Sequence, residues 1–247
     1  MLEAVLTLQY PPAVIAAKRE AIARRWVLSS DGLTGDGTIG LTPGDLRRLC
    51  EFYNEEFLNG WFGGFQGQLR FSLSSRLTKS AGKTICPKNI MKMRPQDVVM
   101  EIRIGSDFFE KFNEVDGAKL VCGLSARNSL EALQLVMEHE LCHVIEFRCF
   151  GRSSCKRIRF KTLARQLFDH RESYHQLPTG RQIAQQKFGL RIGDTVWFRF
   201  EERRLQGMLY RINKRATVMV RDRQGSYTDR KGGRYTKYYV PIELLER

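Results

Sequence analysis

Apolar and polar positions along this chain alternate first with the period of helices and later with the period of strands. Over residues 13–28, Val14, Ala17, Ala21, Ile22 and Trp26 fall near one helical face while Lys18, Arg19, Arg24 and Arg25 occupy the others, which predicts an amphipathic helix. Thr42-Pro43 supplies an N-cap and a first-turn proline. The helix they open runs to about residue 58 with Leu46, Leu49, Phe52, Tyr53 and Phe57 inward, and Gly60 ends it. Residues 69–75 (LRFSLSS) and 98–104 (VVMEIRI) alternate as strands, and residues 77–85 read as a hairpin partner of the first. A helix-compatible stretch extends from Phe108 to Leu124. Ser129 is placed to cap a helix over 130–147 carrying Leu133, Val136, Met137, Leu141, Val144 and Ile145, and a further helix is expected over 158–168.

Polar residues 172–186, with Pro178-Thr179-Gly180, read as a linker. Beyond Phe188 the pattern changes to short alternating runs at 194–200, 205–213, 216–221 and 235–240, separated by glycines and charged turns. That spacing predicts a small antiparallel β-barrel. The chain is therefore expected to be α+β, with an N-terminal helix and linker (1–41), a main domain (42–178) and the barrel (188–247).

Composition adds partners and compartment. Of 247 residues, 42% are hydrophobic, enough for a core without disulfides. The net charge is +14, and from residue 181 to the end there are 16 Lys and Arg against 7 Asp and Glu. A cationic surface of this kind attracts polyanions, so nucleic acid is the expected partner and the C-terminal module the place to look for it. Arg203, Arg204, Arg211, Lys214 and Arg215 are the candidate contacts, with Arg199, Arg221 and Arg223 nearby and Trp197, Phe198, Tyr210 and Tyr227 interleaved for base stacking. The cysteines at 50, 86, 122, 142, 149 and 155 form no Cys-x-x-Cys pair, so they read as reduced thiols rather than a zinc ribbon. Glu3 and the Tyr10-Pro11-Pro12 break argue against a signal peptide, and no run is long enough for a membrane span. The expectation is a cytoplasmic protein without a membrane partner. Residues 29–40 (SSDGLTGDGTIG) read as a loop and lack EF-hand spacing.

The strongest chemical signal is His139-Glu140-Leu141-Cys142-His143, an H-E-x-x-H motif inside an amphipathic helix. Residues four apart share a helix face, so both imidazoles can reach one Zn2+ ion. Glu140 beside them is the candidate catalytic base, able to take a proton from a water that the ion acidifies and return it to a leaving group. A catalytic zinc takes a third protein ligand. Cys155, in the polar turn before the next helix, is the foremost candidate, with His170 and His175 as alternatives.

These residues resemble the SprT-like zinc metallopeptidase family over roughly residues 42–170. The order of elements agrees, EHELCHVIEF follows a strand-rich stretch, and FGRSSCKRIRFKTLARQLF is similar to the family's segment leading into a helix, with Phe160-Lys161 at its Phe-Lys. The resemblance implies a zincin-like fold and a zinc peptidase acting on DNA-associated protein, as in DNA–protein crosslink repair. It also places Lys156 where the family has its third histidine ligand. A protonated lysine repels zinc, which directs attention to Cys155 next to it. The family's zinc ribbon has no counterpart here, and an SH3-like or KOW-type barrel stands in its place. Two other readings follow from the same residues: a nucleic-acid-binding adaptor with a structural or defunct zinc site, and a zinc hydrolase of non-protein substrates.

Overall fold

The computed structural model describes residues 2–30, 32–33, 37 and 40–247, so much of the loop expected over 29–40 lies outside the described residues. The chain divides into two units, Met1–Leu177 and Pro178–Arg247.

In the first unit, α1 (Pro12–Leu28) buries Ile15, Ile22 and Trp26. The Trp26 indole N–H donates to the Asp45 carbonyl at 2.8 Å, tying α1 to α2 (Pro43–Glu56). The inward face of α1 is not the expected one: Val14 is exposed and Arg19 lies on the buried side. The cause is a long-range ion pair, since Arg19 meets Glu138 through Nε–Oε1 at 2.6 Å and Nη2–Oε2 at 2.7 Å. A pattern of hydrophobicity reads such an arginine as solvated. At the start of α2 a capping box forms as expected, with Asp45 N donating to Thr42 Oγ1 and Thr42 N to Asp45 Oδ2.

The sheet of this unit departs from the expected hairpin. β1 (Gln68–Leu73) pairs in parallel with β3 (Val99–Ile104), from Gln68 opposite Val99 to Leu73 opposite Ile104. β2 (Gly82–Ile85) pairs antiparallel with the other edge of β3, so the order is β1-β3-β2. Strand β3 is apolar enough to be central: Met100, Ile102 and Ile104 are all buried. That leaves β2 as an edge strand.

The stretch expected to remain helical after Phe108 does so only over α3 (Ser106–Glu110). It then becomes a hairpin of β4 (Lys119–Val121) and β5 (Leu124–Ala126). The two-residue turn between them, Cys122-Gly123, has φ of +53° and +76°. Both central residues of such a turn must be left-handed, which Gly123 tolerates and Cys122 does not readily.

Helix α4 (Ser129–Phe150) runs through the core, with Leu133, Val136, Met137, Leu141, Val144 and Ile145 completely buried. Its N-cap is Asn128, not Ser129: the Asn128 side chain accepts from Glu131 N at 2.9 Å. Gly151 closes it in the left-handed conformation at φ +67°. A short turn leads into α5 (Ile158–Phe168), which packs on α4. The segment after α5 is not a free linker. Cys122 N donates to the Tyr174 carbonyl at 2.9 Å and Gln176 N to the Leu120 carbonyl at 2.7 Å, so this stretch lies against β4 as an added strand.

In the second unit, α6 (Gly180–Phe188) starts at a Thr179–Gln182 capping box, where a linker was expected. The strands β6 (Thr195–Phe200), β7 (Arg203–Ile212), β8 (Ala216–Arg221), β9 (Tyr227–Thr228) and β10 (Arg234–Val240) follow. They form one sheet in the order β6-β7-β8-β10-β9. This corrects the expected barrel: the sheet is open, because β9 is only two residues long and its pairing stops at β10. The outer edge of β6 is instead met by the chain terminus, through Trp197 opposite Glu246. One face of the sheet packs Val196, Phe198, Leu209, Val218 and Val240 against Ala184, Leu190, Ile242 and Leu245.

Candidate metal centre

The helical spacing of His139 and His143 has its expected result, with their Nε2 atoms 3.2 Å apart. Two imidazole nitrogens on one tetrahedral zinc stand roughly 3.3 Å apart, given the usual zinc–nitrogen length. Burial lowers the pKa of His143 to about 4 and drives that of His139 well down, so both rings are neutral and offer lone pairs at neutral pH. Phe160 of α5 packs against both, its ring centroid 4.8 Å from that of His139 and 4.5 Å from that of His143.

The second nitrogen of His143 is held by partners that the sequence did not reveal. His143 Nδ1 lies 2.6 Å from Ser153 Oγ, and that hydroxyl donates to Glu146 Oε2 at 2.6 Å. With its only hydrogen on Glu146, Ser153 must accept from His143, which places the His143 proton on Nδ1 and frees Nε2 for an ion. Glu146 is fully buried and fixed in turn by Arg159 Nε at 2.6 Å and Ser154 N at 3.2 Å. The turn GRSSC thus fixes the His143 ring in addition to carrying Cys155.

Cys155 comes close to the pair: its sulfur and one nitrogen each of His139 and His143 lie within 4.8 Å of one another. Lys156 beside it is exposed. The donor set of two neutral imidazoles and a thiol fits zinc. His175 reaches His139 from another side, with ring centroids 5.0 Å apart, and groups with Cys122 and His139 rather than with His143. His170 does not join either group among the described residues. It is buried and donates from Nε2 to Glu138 Oε2 at 2.8 Å. Glu138 also accepts from Arg19 and from Tyr53 Oη at 2.7 Å. Burial alone would raise the Glu138 pKa, but Arg19 and His170 hold it below the ordinary value. His170 is therefore part of the lock that fastens α1 and α2 to α4.

Glu140 is buried at 2% exposure. Its Oε2 accepts from Thr84 Oγ1 of β2 at 2.7 Å, and burial raises its pKa to about 7. A carboxyl poised there can accept and return a proton near neutral pH. Gly82 of the same strand leaves the room Glu140 needs, since a Cβ at that position would lie 2.6 Å from Glu140 Oε1. Nothing in the local sequence GKT marks these two residues, because their role arises from the edge strand lying along α4.

The second unit presents a separate feature. Cross-strand pairs place Trp197, Arg199, Arg204, Gln206, Met208, Met219, Arg221, Tyr235 and Lys237 on the sheet face opposite its core. Of the expected contacts, Arg204 lies on this face, where it covers Trp197 at 4.9 Å and bonds Glu246 at 2.6 Å. Arg203, Arg211, Lys214 and Arg215 are exposed, with Lys214 and Arg215 in the turn between β7 and β8. Phe198 belongs to the core and is not a stacking platform, whereas Tyr210, Tyr227 and Tyr239 are exposed. No helix among the described residues is long and apolar enough to cross a membrane.

Comparison with protein-family models, with curated proteins and with solved structures returns no match.

Proposed function

We propose that the first unit is a zinc-dependent peptidase of the SprT-like class and that the second unit binds nucleic acid. The observation that carries this reading is the pairing of two neutral, 3.2 Å-spaced imidazole nitrogens with a buried Glu140 that the edge strand β2 fixes through Thr84. His139, His143 and Cys155 would hold the ion. Zinc bound there supplies Lewis acidity to a carbonyl and acidifies the attacking water.

The chain's own residues do the rest. Glu140 accepts the proton from the attacking water and hands it to the leaving amine, a task suited to a carboxyl whose pKa burial has moved to about 7. Ser153, Glu146 and Arg159 keep the His143 Nε2 lone pair directed inward. Among the described residues β2 pairs with another strand on one edge only, so its other edge can take an extended peptide as an added strand beside Glu140. This favours a polypeptide over a small ester or amide as substrate. The cationic, aromatic face of the second unit suits a phosphate backbone with unstacked bases.

The test combines metal analysis with cleavage of a DNA-bound protein. Wild type should carry zinc and cut in the presence of DNA, His139→Ala should lose the metal, and Glu140→Gln should keep the metal but lose cleavage. Zinc retained by wild type with no cleavage under any DNA would replace this reading with that of an adaptor.

A further inference from the structure

Beyond the H-E-x-x-H pair, a second group of ligand-type side chains converges on the far nitrogen of His139. Cys122 Sγ lies 3.7 Å from His139 Nδ1 and 3.7 Å from His175 Nδ1. One ligand atom from each of the three residues falls within 4.8 Å of the others. A thiolate and an imidazole bound to the same tetrahedral zinc stand roughly 3.6 Å apart, given zinc–sulfur and zinc–nitrogen lengths of about 2.3 and 2.0–2.1 Å. The three residues come from three parts of the chain: the β4–β5 turn, α4, and the segment added alongside β4.

The backbone is built to bring them together. Cys122 takes φ +53°, a conformation that disfavours any side chain and persists where surrounding contacts impose it. Those contacts are present. Cys122 N donates to Tyr174 O, and Cys122 O accepts from Arg171 N at 2.9 Å and Glu172 N at 3.0 Å. They fix the turn to the stretch carrying His175, and the cysteine side chain ends up completely buried between two histidines. Glycine would suit this turn position better than cysteine does, so the thiol is what the position gains.

We propose that Cys122, His139 and His175 form a second, buried site for one soft divalent ion of the zinc class, filled as an alternative to the site of His139, His143 and Cys155. The alternation follows from the chemistry of the shared ring. A neutral imidazole has one lone pair. With its proton on Nδ1, His139 offers Nε2 to the first site; with its proton on Nε2, it offers Nδ1 to the second. Entry into the second site moves the His139 proton between its nitrogens and releases the Cys122 thiol proton to solvent, with no change of oxidation state. An ion held there is ligated through the ring nitrogen facing away from His143, so this site serves storage or a resting state rather than attack on substrate.

Cobalt(II) tests the proposal because it reports thiolate ligation by a near-ultraviolet charge-transfer band. The variant His143→Ala/Cys155→Ser removes two ligands of the first site and leaves the second whole. It should bind one cobalt per chain and show the band. Adding Cys122→Gly, which suits the turn and should fold as judged by circular dichroism, should abolish the band. It should also weaken binding by more than the roughly 10–100-fold that losing an outer-shell partner costs. Wild type should bind one cobalt, not two. A folded double variant that binds no cobalt, a band that survives Cys122→Gly, or two ions in wild type would each overturn the proposal. None of these readouts uses cleavage, so failure of the peptidase reading and failure of this one are separable.

Discussion

At the scale of single residues, the geometry around Glu140 and His143 depends on residues that carry no chemical signature of their own. Gly82 shows this most clearly. A methyl group there would meet Glu140 Oε1 at 2.6 Å and Val136 Cγ1 at 2.8 Å, and both neighbours belong to the buried helix α4. Because α4 cannot retreat from a packed core, the carboxyl must turn away from Thr84. We expect Gly82→Ala to lower cleavage by about 100-fold, the scale on which a displacement of about 1 Å of a reacting group is felt, while zinc content stays at the wild-type level. Cleavage within about a factor of two of wild type would show that β2 does not set the position of Glu140. The H-E-x-x-H histidines were legible because residues four apart on a helix meet through local geometry alone. Ser153, Glu146, Thr84 and Cys122 were not, since each acts through a partner fixed by tertiary packing. Likewise His170 and His175 look equivalent in sequence, but Glu138 claims the first and β4 carries the second to His139.

At the scale of elements, the long helices α1, α2, α4 and α5 were legible, whereas the inward face of α1, the β4–β5 hairpin, α6 and the strand pairings were not. The start marked by Thr42-Pro43 lies where physical chemistry requires, whereas α4 runs past its expected end at 147 to Phe150, where Gly151 closes it. The exchange of partners in the β1-β3-β2 sheet was hidden, because alternation reports that a strand exists but not which neighbour it takes. The open second sheet was hidden for the same reason. Capping can also be tested. The Asp45 carboxyl is 2% exposed and accepts from Thr42 and Arg48, and those bonds outweigh burial to lower its pKa from 3.8 to about 2. A carboxyl with a depressed folded pKa contributes stability that is present above the unfolded value of 3.8 and is lost as pH falls through about 2. The shift corresponds to about 2 kcal/mol. Urea unfolding of wild type and Asp45→Asn should therefore show a stability gap that narrows by about 2 kcal/mol between about pH 5 and pH 2. An unchanged gap would mean that the cap does not hold the charged form.

At the scale of the whole molecule, the question is what the charge excess is for. Solvated cations and a nucleic-acid footprint differ in how binding responds to salt. Each phosphate neutralised on a single strand contributes about 0.7 to the slope of log affinity against log salt, through counterion release. Arg199 and Arg221 are exposed on the outer face of the second sheet, on β6 and β8, with Trp197, Tyr235 and Lys237 on the same face. If both arginines lie on the strand's path, replacing them with alanine in the full chain should reduce the slope for a fluorescent single-stranded oligonucleotide by about 1.4. Tyr239 is 63% exposed on β10 and lies opposite Thr217. A stacking residue acts without displacing ions, so Tyr239→Ala should weaken binding by about 1–3 kcal/mol at every salt concentration and leave the slope alone. Anisotropy titrations at several salt concentrations separate the two effects. If both variants keep wild-type affinity and slope, the polyanion is bound elsewhere, and the exposed cations at Arg203, Arg211 and Arg215 become the next positions to change. If the slope falls and the stacking term is lost as expected, this face is a nucleic-acid-binding surface, as the proposed function of the second unit requires.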